Sequence, residues 1–439
     1  MFKILLSIIS LCRLSAADDT PPCQLEASVR LLNGVTMPRV AFGTAGLPRG
    51  ESHEKIISAA IEAGFRSFDT AQATEWYDET AVAKALNSSG VPRSEFFITT
   101  KIHPRDLTYD RTAAALARSV ESFGGYVDLV LLHYPRCFPG VCTSAEQRRV
   151  ESVGGWKEAW RALRRAVVTK QVKAVGLSNF DVAEVASVDP PPHVVQNWFD
   201  PFRQDRALTE WCRFNEVAYT SYSTLGGQWV HQQLEGSNRV GRLNPVFESP
   251  VIRAIADAHG GPLMVPAVVL SWALQRNVLV LPRSASEEHI LENARRLLPH
   301  ALSPPPSEQQ QQQGSEGAEE GRRKKTSAES KSSQSSTLPS VAELLPVFLT
   351  QVELERIDAL DGAVDTHSEC GHWASSGECS ANPGYMLPNC GAACGQGNAP
   401  PLSCSGVVKK TAEGPGGGGG GGKSGKSSSE APGVPEEEL

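Results

Sequence analysis

Four polar side chains close or follow short apolar runs in the first third of the sequence. Asp69 ends Ser-Phe-Asp-Thr, Lys101 ends Ile-Thr-Thr-Lys, and His133 stands in Leu-Leu-His-Tyr-Pro. Tyr77 lies between the first two. Together these types can donate a proton. A phenol titrates near pH 10, too weak an acid for neutral pH, and a neighbouring ammonium is expected to lower that value. The Asp would hold the Lys, and the His would orient a carbonyl oxygen. A carbonyl polarised by the Tyr is open to hydride, which a side chain does not supply and a cofactor must.

The segments around these residues predict how they are brought together. An antiparallel hairpin is expected first, with Leu31-Leu32 and Thr36-Met37 flanking the turn signal Asn33-Gly34. Strand candidates follow at 39–44, 67–70, 96–102, 127–134, 173–178, 194–199, 217–223 and 278–282, apolar runs of the kind buried on both faces. Helix candidates alternate with them at 53–63, 78–87, 109–122, 156–168, 181–188, 206–214, 250–259 with 266–275, and 287–298. Eight strands each followed by helix predict an α/β fold, the (β/α)8 barrel. An open doubly wound sheet is the competitor, and no Gly-rich turn of the G-x-G-x-x-G type follows the first strand. Barrel enzymes carry their chemistry at the C-terminal ends of the strands, where Asp69, Lys101 and His133 fall.

The 439 residues carry a formal charge of −7, which argues against nucleic acid as a partner. Residues 1–17 read as a signal peptide, with Lys3, a short apolar run and Ser15-Ala16-Ala17 before the cleavage point, so the expected location is the secretory pathway, lumenal or secreted. No segment is long and apolar enough for a transmembrane span, and no metal site is assigned. Ten cysteines suit an oxidising compartment. Cys137 and Cys142 bracket a short loop and can pair, Cys212 reads as a buried helical thiol, and the partners of Cys23 and Cys404 stay open. Asn87-Ser88-Ser89 is a glycosylation triplet. The barrel is expected over 28–362, interrupted at 302–340 by a disordered insertion with a Gln run and a basic cluster at 322–325. A helical pattern returns at 348–360 with Thr350 as N-cap and Glu353 three residues on. A cysteine-rich module spans 363–404, and 405–439 is a Gly/Ser-rich tail.

Leu-Leu-Asn-Gly-Val-Thr-Met-Pro, Phe-Asp-Thr-Ala, Ile-Thr-Thr-Lys, Val-Asp-Leu-Val-Leu-Leu-His-Tyr-Pro, Lys-Ala-Val-Gly-Leu-Ser-Asn-Phe and Leu-Pro-Arg-Ser occur in that order, and they closely resemble the aldo-keto reductase family. The resemblance covers 29–293 and resumes at 348–360. It implies a catalytic tetrad of Asp69, Tyr77, Lys101 and His133, with Tyr77 as general acid. The family usually has its Tyr five residues after the Asp; here Thr74 stands there and Tyr77 lies eight beyond Asp69. The resemblance also implies a nicotinamide cofactor: Ser178, Asn179 and Gln196 on the carboxamide, Tyr222 stacked on the ring, and Ser223 and Leu225 along the pyrophosphate. Arg283 and Ser284 stand where the family has Lys-Ser on the adenosine phosphate, His289 stands where it often has Arg, and Glu292 and Asn293 match the adenine pair. A guanidinium suits a phosphate, so NADPH is expected in preference to NADH. Trp76, Tyr134, Phe138, Trp156 and Trp198 are candidates to line an apolar pocket for a small-molecule carbonyl compound.

The string from Cys370 through Cys379, Asn382-Pro383, Tyr385 and Cys390 to Cys394-Gly395 resembles the ShKT domain, the fold of sea-anemone channel toxins. That family pairs six cysteines first to sixth, second to fourth and third to fifth. Ala363 and Gly397 replace the first and sixth, which are bridge partners, so the resemblance implies Cys370–Cys390 and Cys379–Cys394. Channel block uses a Lys beside the Tyr, where Gly384 stands here, and an interaction module for a protein partner is expected instead. Two readings of the whole chain follow: an NADPH-dependent reductase of aldehydes or ketones, or a non-catalytic cofactor-binding scaffold presenting the ShKT-like module.

Overall fold

A computed structural model of the protein describes residues 26–230, 244–298 and 347–362. The expected signal peptide, insertion, ShKT-like module with its two bridges, and tail lie outside the described residues, as do Cys23 and Cys404. Strands β1 (Ser28–Arg30) and β2 (Thr36–Pro38) form the antiparallel hairpin. The connection is longer than the two-residue turn expected: Leu31 N donates to Val35 O and Gly34 N to Leu31 O, both at 2.8 Å, with Gly34 at φ +83°.

The barrel strands are β3 (Phe42–Gly43), β4 (Ser67–Asp69), β5 (Phe97–Ile102), β6 (Val127–Leu132), β7 (Val172–Ser178), β8 (Val194–Trp198), β9 (Ala218–Tyr222) and β10 (Val278–Val280). They pair in parallel in sequence order, β3 through β10. Backbone bonds from Ala41 N to Val280 O, Val280 N to Arg39 O and Gly43 N to Pro282 O, each 3.0 Å, join the two edges and close the cylinder. Around it run α1 (Glu51–Glu62), α2 (Glu79–Ser88), α3 (Tyr109–Ser122), α4 (Ser144–Glu151), α5 (Trp156–Val168), α6 (Val182–Ala186), α7 (Arg206–Phe214), α8 (Pro245–Glu248), α9 (Pro250–Ala258), α10 (Val265–Gln275), α11 (Glu287–Leu297) and α12 (Gln351–Asp358). Each larger helix turns an apolar stripe inward, as α5 does with Ala159, Trp160, Leu163 and Ala166. Helix α12 is capped by Thr350 and Glu353 as expected. It rejoins the barrel through Asp358, which accepts from Trp272 Nε1 at 2.8 Å and Arg276 Nε at 3.1 Å.

The period of two along each strand separates a floor from a mouth. Inward-facing Phe97, Leu129, Leu131, Ala174, Val194 and Leu279 form one apolar cluster with Leu31 and Met37 of the hairpin, which plugs the N-terminal end. Further along the same faces come Asp69, Lys101, His133, Ser178 and Gln196, all buried and all polar. Gly176 lies between these zones. A Cβ there would stand 2.2 Å from Val194 O and 2.6 Å from Leu131 Cδ2, so the strand tolerates only glycine at this close approach. Gly176→Ala should therefore lower stability by about 1–3 kcal/mol through overpacking, read as a fall in melting temperature; an unchanged melting temperature contradicts the packing described.

Candidate active site

Asp69, Lys101 and His133 arrive at the C-terminal mouth because they continue the inward faces of β4, β5 and β6. Lys101 is 1% exposed and Asp69 3%. The Lys101 ammonium donates to Asp69 Oδ1 at 2.5 Å, to Thr70 O at 3.0 Å and to Tyr77 OH at 3.3 Å. The other carboxylate oxygen accepts from Gln196 Nε2 at 2.7 Å. Both charges are thus paired and hydrogen-bonded, the condition under which such a pair survives burial.

Tyr77 reaches Lys101 from the loop between β4 and α2. Its backbone N donates to Ala73 O at 2.9 Å, and the next residue, Asp78, caps α2 by accepting from Ala81 N at 3.0 Å. The loop is braced from outside: Gly46 N donates to Trp76 O at 2.7 Å, and Arg49 bonds Thr74 O. It is also braced from β5. His103 Nδ1 accepts from Arg105 N at 3.1 Å, so Nε2 carries the proton and donates to Glu75 Oε1 at 3.2 Å. These braces set the Tyr77 hydroxyl on the ammonium and leave Trp76 at the rim, 37% exposed. The eight-residue spacing from Asp69 is the arc this loop needs.

The expected acidification of the phenol is corrected by the structure. Burial and then the Asp69 carboxylate push Tyr77 above its usual value near 10, against a smaller downward pull from Arg283. The ion pair is nearly neutral as a unit, so desolvation of the phenolate wins. The resting phenol therefore keeps its proton. Its anion finds the Lys101 ammonium within reach only when the proton leaves. Burial, Lys101 and His103 hold His133 well below its usual value, so its ring is neutral, with Nδ1 buried and unpartnered among the described residues. The rings of Tyr77 and His133 meet edge-on at 5.8 Å.

Beside the tetrad lies an amide-lined patch. Asn179 Nδ2 donates to His133 O at 2.9 Å and to Ser178 Oγ at 3.3 Å, and its Oδ1 accepts from Tyr222 OH at 2.6 Å. Asn179 has φ +62°, and its backbone N donates to Asn197 Oδ1 at 2.7 Å. Asn197 is a positioning residue that sequence reasoning missed, as were His103 and Glu75; only His103, just past the end of β5, left a signal. Gln196 spends its NH2 group on Asp69 and keeps Oε1 to accept from a ligand amide. Ser178, Asn179, Gln196 and Tyr222 thus fit a ring carrying a primary amide.

Ser223 (φ +54°) and Leu225 follow Tyr222 on the next segment. Arg283 Nη1 donates to Ala45 O at 2.5 Å and has no carboxylate partner among the described residues. Ser284 Oγ accepts from Ser286 N at 3.0 Å, and exposed His289 lies in the first turn of α11. Glu292 is occupied by Arg296 at 2.9 Å, with Asn293 next to it.

Of five aromatic candidates for the pocket, three gather at the mouth. Tyr134 stands 4.9 Å from His133, 5.0 Å from Phe138 and 6.3 Å from Trp76, ring to ring. Trp156 instead packs on Phe180, and Trp198 is buried against Trp229. A disulfide joins Cys137 to Cys142 around Phe138, with Cα atoms 5.7 Å apart. Among the described residues Cys212 is a free, buried thiol.

An eight-stranded parallel α/β barrel with a phenol on a buried, paired ammonium and an amide-lined patch beside it at one mouth defines the structural class of the chain. The aldo/keto reductase family model matches residues 39–303, and the chain belongs to that family. Residues 364–396 match the ShK domain-like model, so the chain also carries that module near its C-terminus. The chain is 30% identical to glyoxal reductase of Bacillus subtilis (strain 168) over 278 residues, 62% of this chain and 88% of the relative. It is 32% identical to the NAD(P)H-dependent D-xylose reductase of Scheffersomyces stipitis over 287 residues, 61% and 87% of the two chains. With aldo-keto reductase family 1 member A1 of Mus musculus the identity is 33% over 295 residues, 61% and 83%. A solved aldo-keto reductase complexed with NADPH shares the fold, at TM-score 0.51 and 24% identity over 62% of this chain and 83% of that one.

Asp69→Ala should cost about 3–5 kcal/mol by stranding a buried ammonium. Adding Lys101→Met should recover part of that loss in thermal unfolding, whereas a double variant less stable than the single one contradicts the pairing.

Proposed function

We propose that the chain is an NADPH-dependent reductase of aldehydes or ketones, with Tyr77 as the general acid. The observation that carries this reading is the Tyr77 hydroxyl 3.3 Å from a Lys101 ammonium that Asp69 holds at 2.5 Å. A bound reduced nicotinamide would supply hydride to the carbonyl carbon. Ser178, Asn179 and Gln196 would hold its carboxamide, and Tyr222 its ring. The carbonyl oxygen would accept from the Tyr77 hydroxyl and from His133, whose neutral ring adds a donor without adding charge. As negative charge grows on that oxygen, the phenolic proton moves to it, and Lys101 stabilises the phenolate left behind.

Preference for NADPH rests on Arg283, whose planar guanidinium suits a phosphate and has no carboxylate partner among the described residues. Ser223 and Leu225 would run along the pyrophosphate; Ser284, His289, Glu292 and Asn293 would meet the adenosine end. Trp76, Tyr134 and Phe138 favour an apolar carbonyl substrate. Entry into the secretory pathway is part of the same proposal: the Cys137–Cys142 bridge suits an oxidising compartment, as do the apolar run and small residues at 1–17.

Tyr77→Phe should lower kcat for aldehyde reduction by about 10²-fold or more while leaving NADPH affinity near that of the wild type. Steady-state kinetics with an aldehyde panel, alongside calorimetric titration, checks this; turnover that survives the substitution rules out Tyr77 as the acid. The pKa directions also set a pH profile. Tyr77, raised above 10, keeps its proton throughout the neutral range, and His133, lowered well below 6.5, gains one only in acid. At saturating NADPH, kcat should be flat from about pH 6.5 to 9 and fall only outside it; an inflection near neutrality contradicts these assignments.

A further inference from the structure

One fully buried carboxyl group takes no part in the chemistry above. Asp200, just beyond β8, is 0% exposed. Its Oδ2 accepts from two indoles, Trp198 Nε1 at 2.7 Å and Trp229 Nε1 at 2.8 Å, and its Oδ1 accepts from Phe202 N at 2.8 Å. The two indoles meet edge-on at 4.9 Å, and the Arg203 guanidinium lies 4.6 Å over Trp198. Burial pushes the carboxyl up to about 7, against the pull of these donors.

The two tryptophans come from different places. Trp198 ends β8 and pairs in register with Tyr222 of β9. Trp229 lies on the segment that follows β9 and carries Ser223 and Leu225. That segment leaves the strand through a left-handed Ser223 and is anchored midway by Asn244 Nδ2 on Leu225 O at 2.7 Å. Asn244 Oδ1 lies only 2.2 Å from where a Cβ at Gly226 would stand, so the turn is closely fitted. Asp200 fastens the far end of this segment to the end of the neighbouring strand.

We propose that Asp200 is a positioning residue for the cofactor: by gripping Trp198 and Trp229 together it fixes residues 222–225 in the conformation that receives the nicotinamide ring and the pyrophosphate. The inference rests on the cofactor reading above. It assigns Asp200 and Trp229 to nucleotide affinity and not to the chemical step. An apolar side chain could fill the same space but would leave three buried N–H groups without an acceptor.

The test uses the full chain at pH 8, with NADPH as the probe. Trp229→Phe removes one indole N–H and keeps a ring, Asp200→Asn turns an NH2 group toward a donor, and Asp200→Ala removes the grip. Calorimetric titration should show NADPH bound about tenfold more weakly by each, the scale of one hydrogen bond to a charged group. kcat at saturating NADPH and the aldehyde KM should stay within about twofold of wild type, since uniform binding alone is lost. Without nucleotide, amides of 223–230 should exchange hydrogen faster in the variants than in the wild type. Trp229→Phe decides the matter if Asp200→Ala fails to fold. Wild-type affinity in both Trp229→Phe and Asp200→Asn overturns the inference while leaving the cofactor reading intact. A wild-type protein that does not bind NADPH overturns both.

Discussion

The ammonium of Lys101 is buried at the neck of the cylinder, and the groups nearest it satisfy its charge. Asp69 neutralises it, the Thr70 carbonyl accepts a second hydrogen bond from it and the Tyr77 hydroxyl sits beside it. Gln196 in turn satisfies the carboxylate. An unpaired charge at this depth would neutralise itself or unfold its surroundings. In the reaction proposed, a charge paired in this way would meet negative charge developing on the phenol beside it without reorganising, which is the physical basis of electrostatic preorganisation.

The barrel makes this arrangement affordable by dividing its interior. Apolar inward faces packed by the hairpin supply cohesion at one end, while the same faces carry the polar residues at the other. The supporting groups then fall in rings around the tetrad. The Tyr77 loop is held by His103 and Glu75, the amide patch by Asn197, and the segment after β9 by Asp200 and Trp229. Each support crosses between elements distant in sequence, so each ties the position of a side chain at the mouth to the closure of the cylinder.

That division explains what was legible in the sequence. Strands buried on both faces read as apolar runs, and the first polar residue ending a run marks the mouth, so Asp69, Lys101 and His133 stood out. Family motifs then pointed to Tyr77 despite its spacing. Helix α4 was missed because Val150 is its only buried residue, leaving no apolar period to see. Trp156 turns onto Phe180 and Trp198 onto Trp229, partners that a string of letters does not reveal. The direction of the Tyr77 shift was misjudged for a similar reason: the ammonium favours the phenolate, but burial and Asp69 oppose it, and only distances decide which wins. Asn197 and Asp200 act through contacts that no local pattern encodes.

The central claim is that the half-buried Tyr77 phenol rests on a compensated ammonium, where burial and the Asp69 carboxylate raise it. Carbon-13 NMR of protein labelled at tyrosine Cζ, with Tyr77→Phe assigning the resonance, reads its protonation directly as pH rises. The account predicts a Tyr77 signal that stays at the phenol position past about pH 10, where exposed tyrosines have begun to ionise. A signal that shifts together with the exposed tyrosines, or near neutral pH, would contradict it.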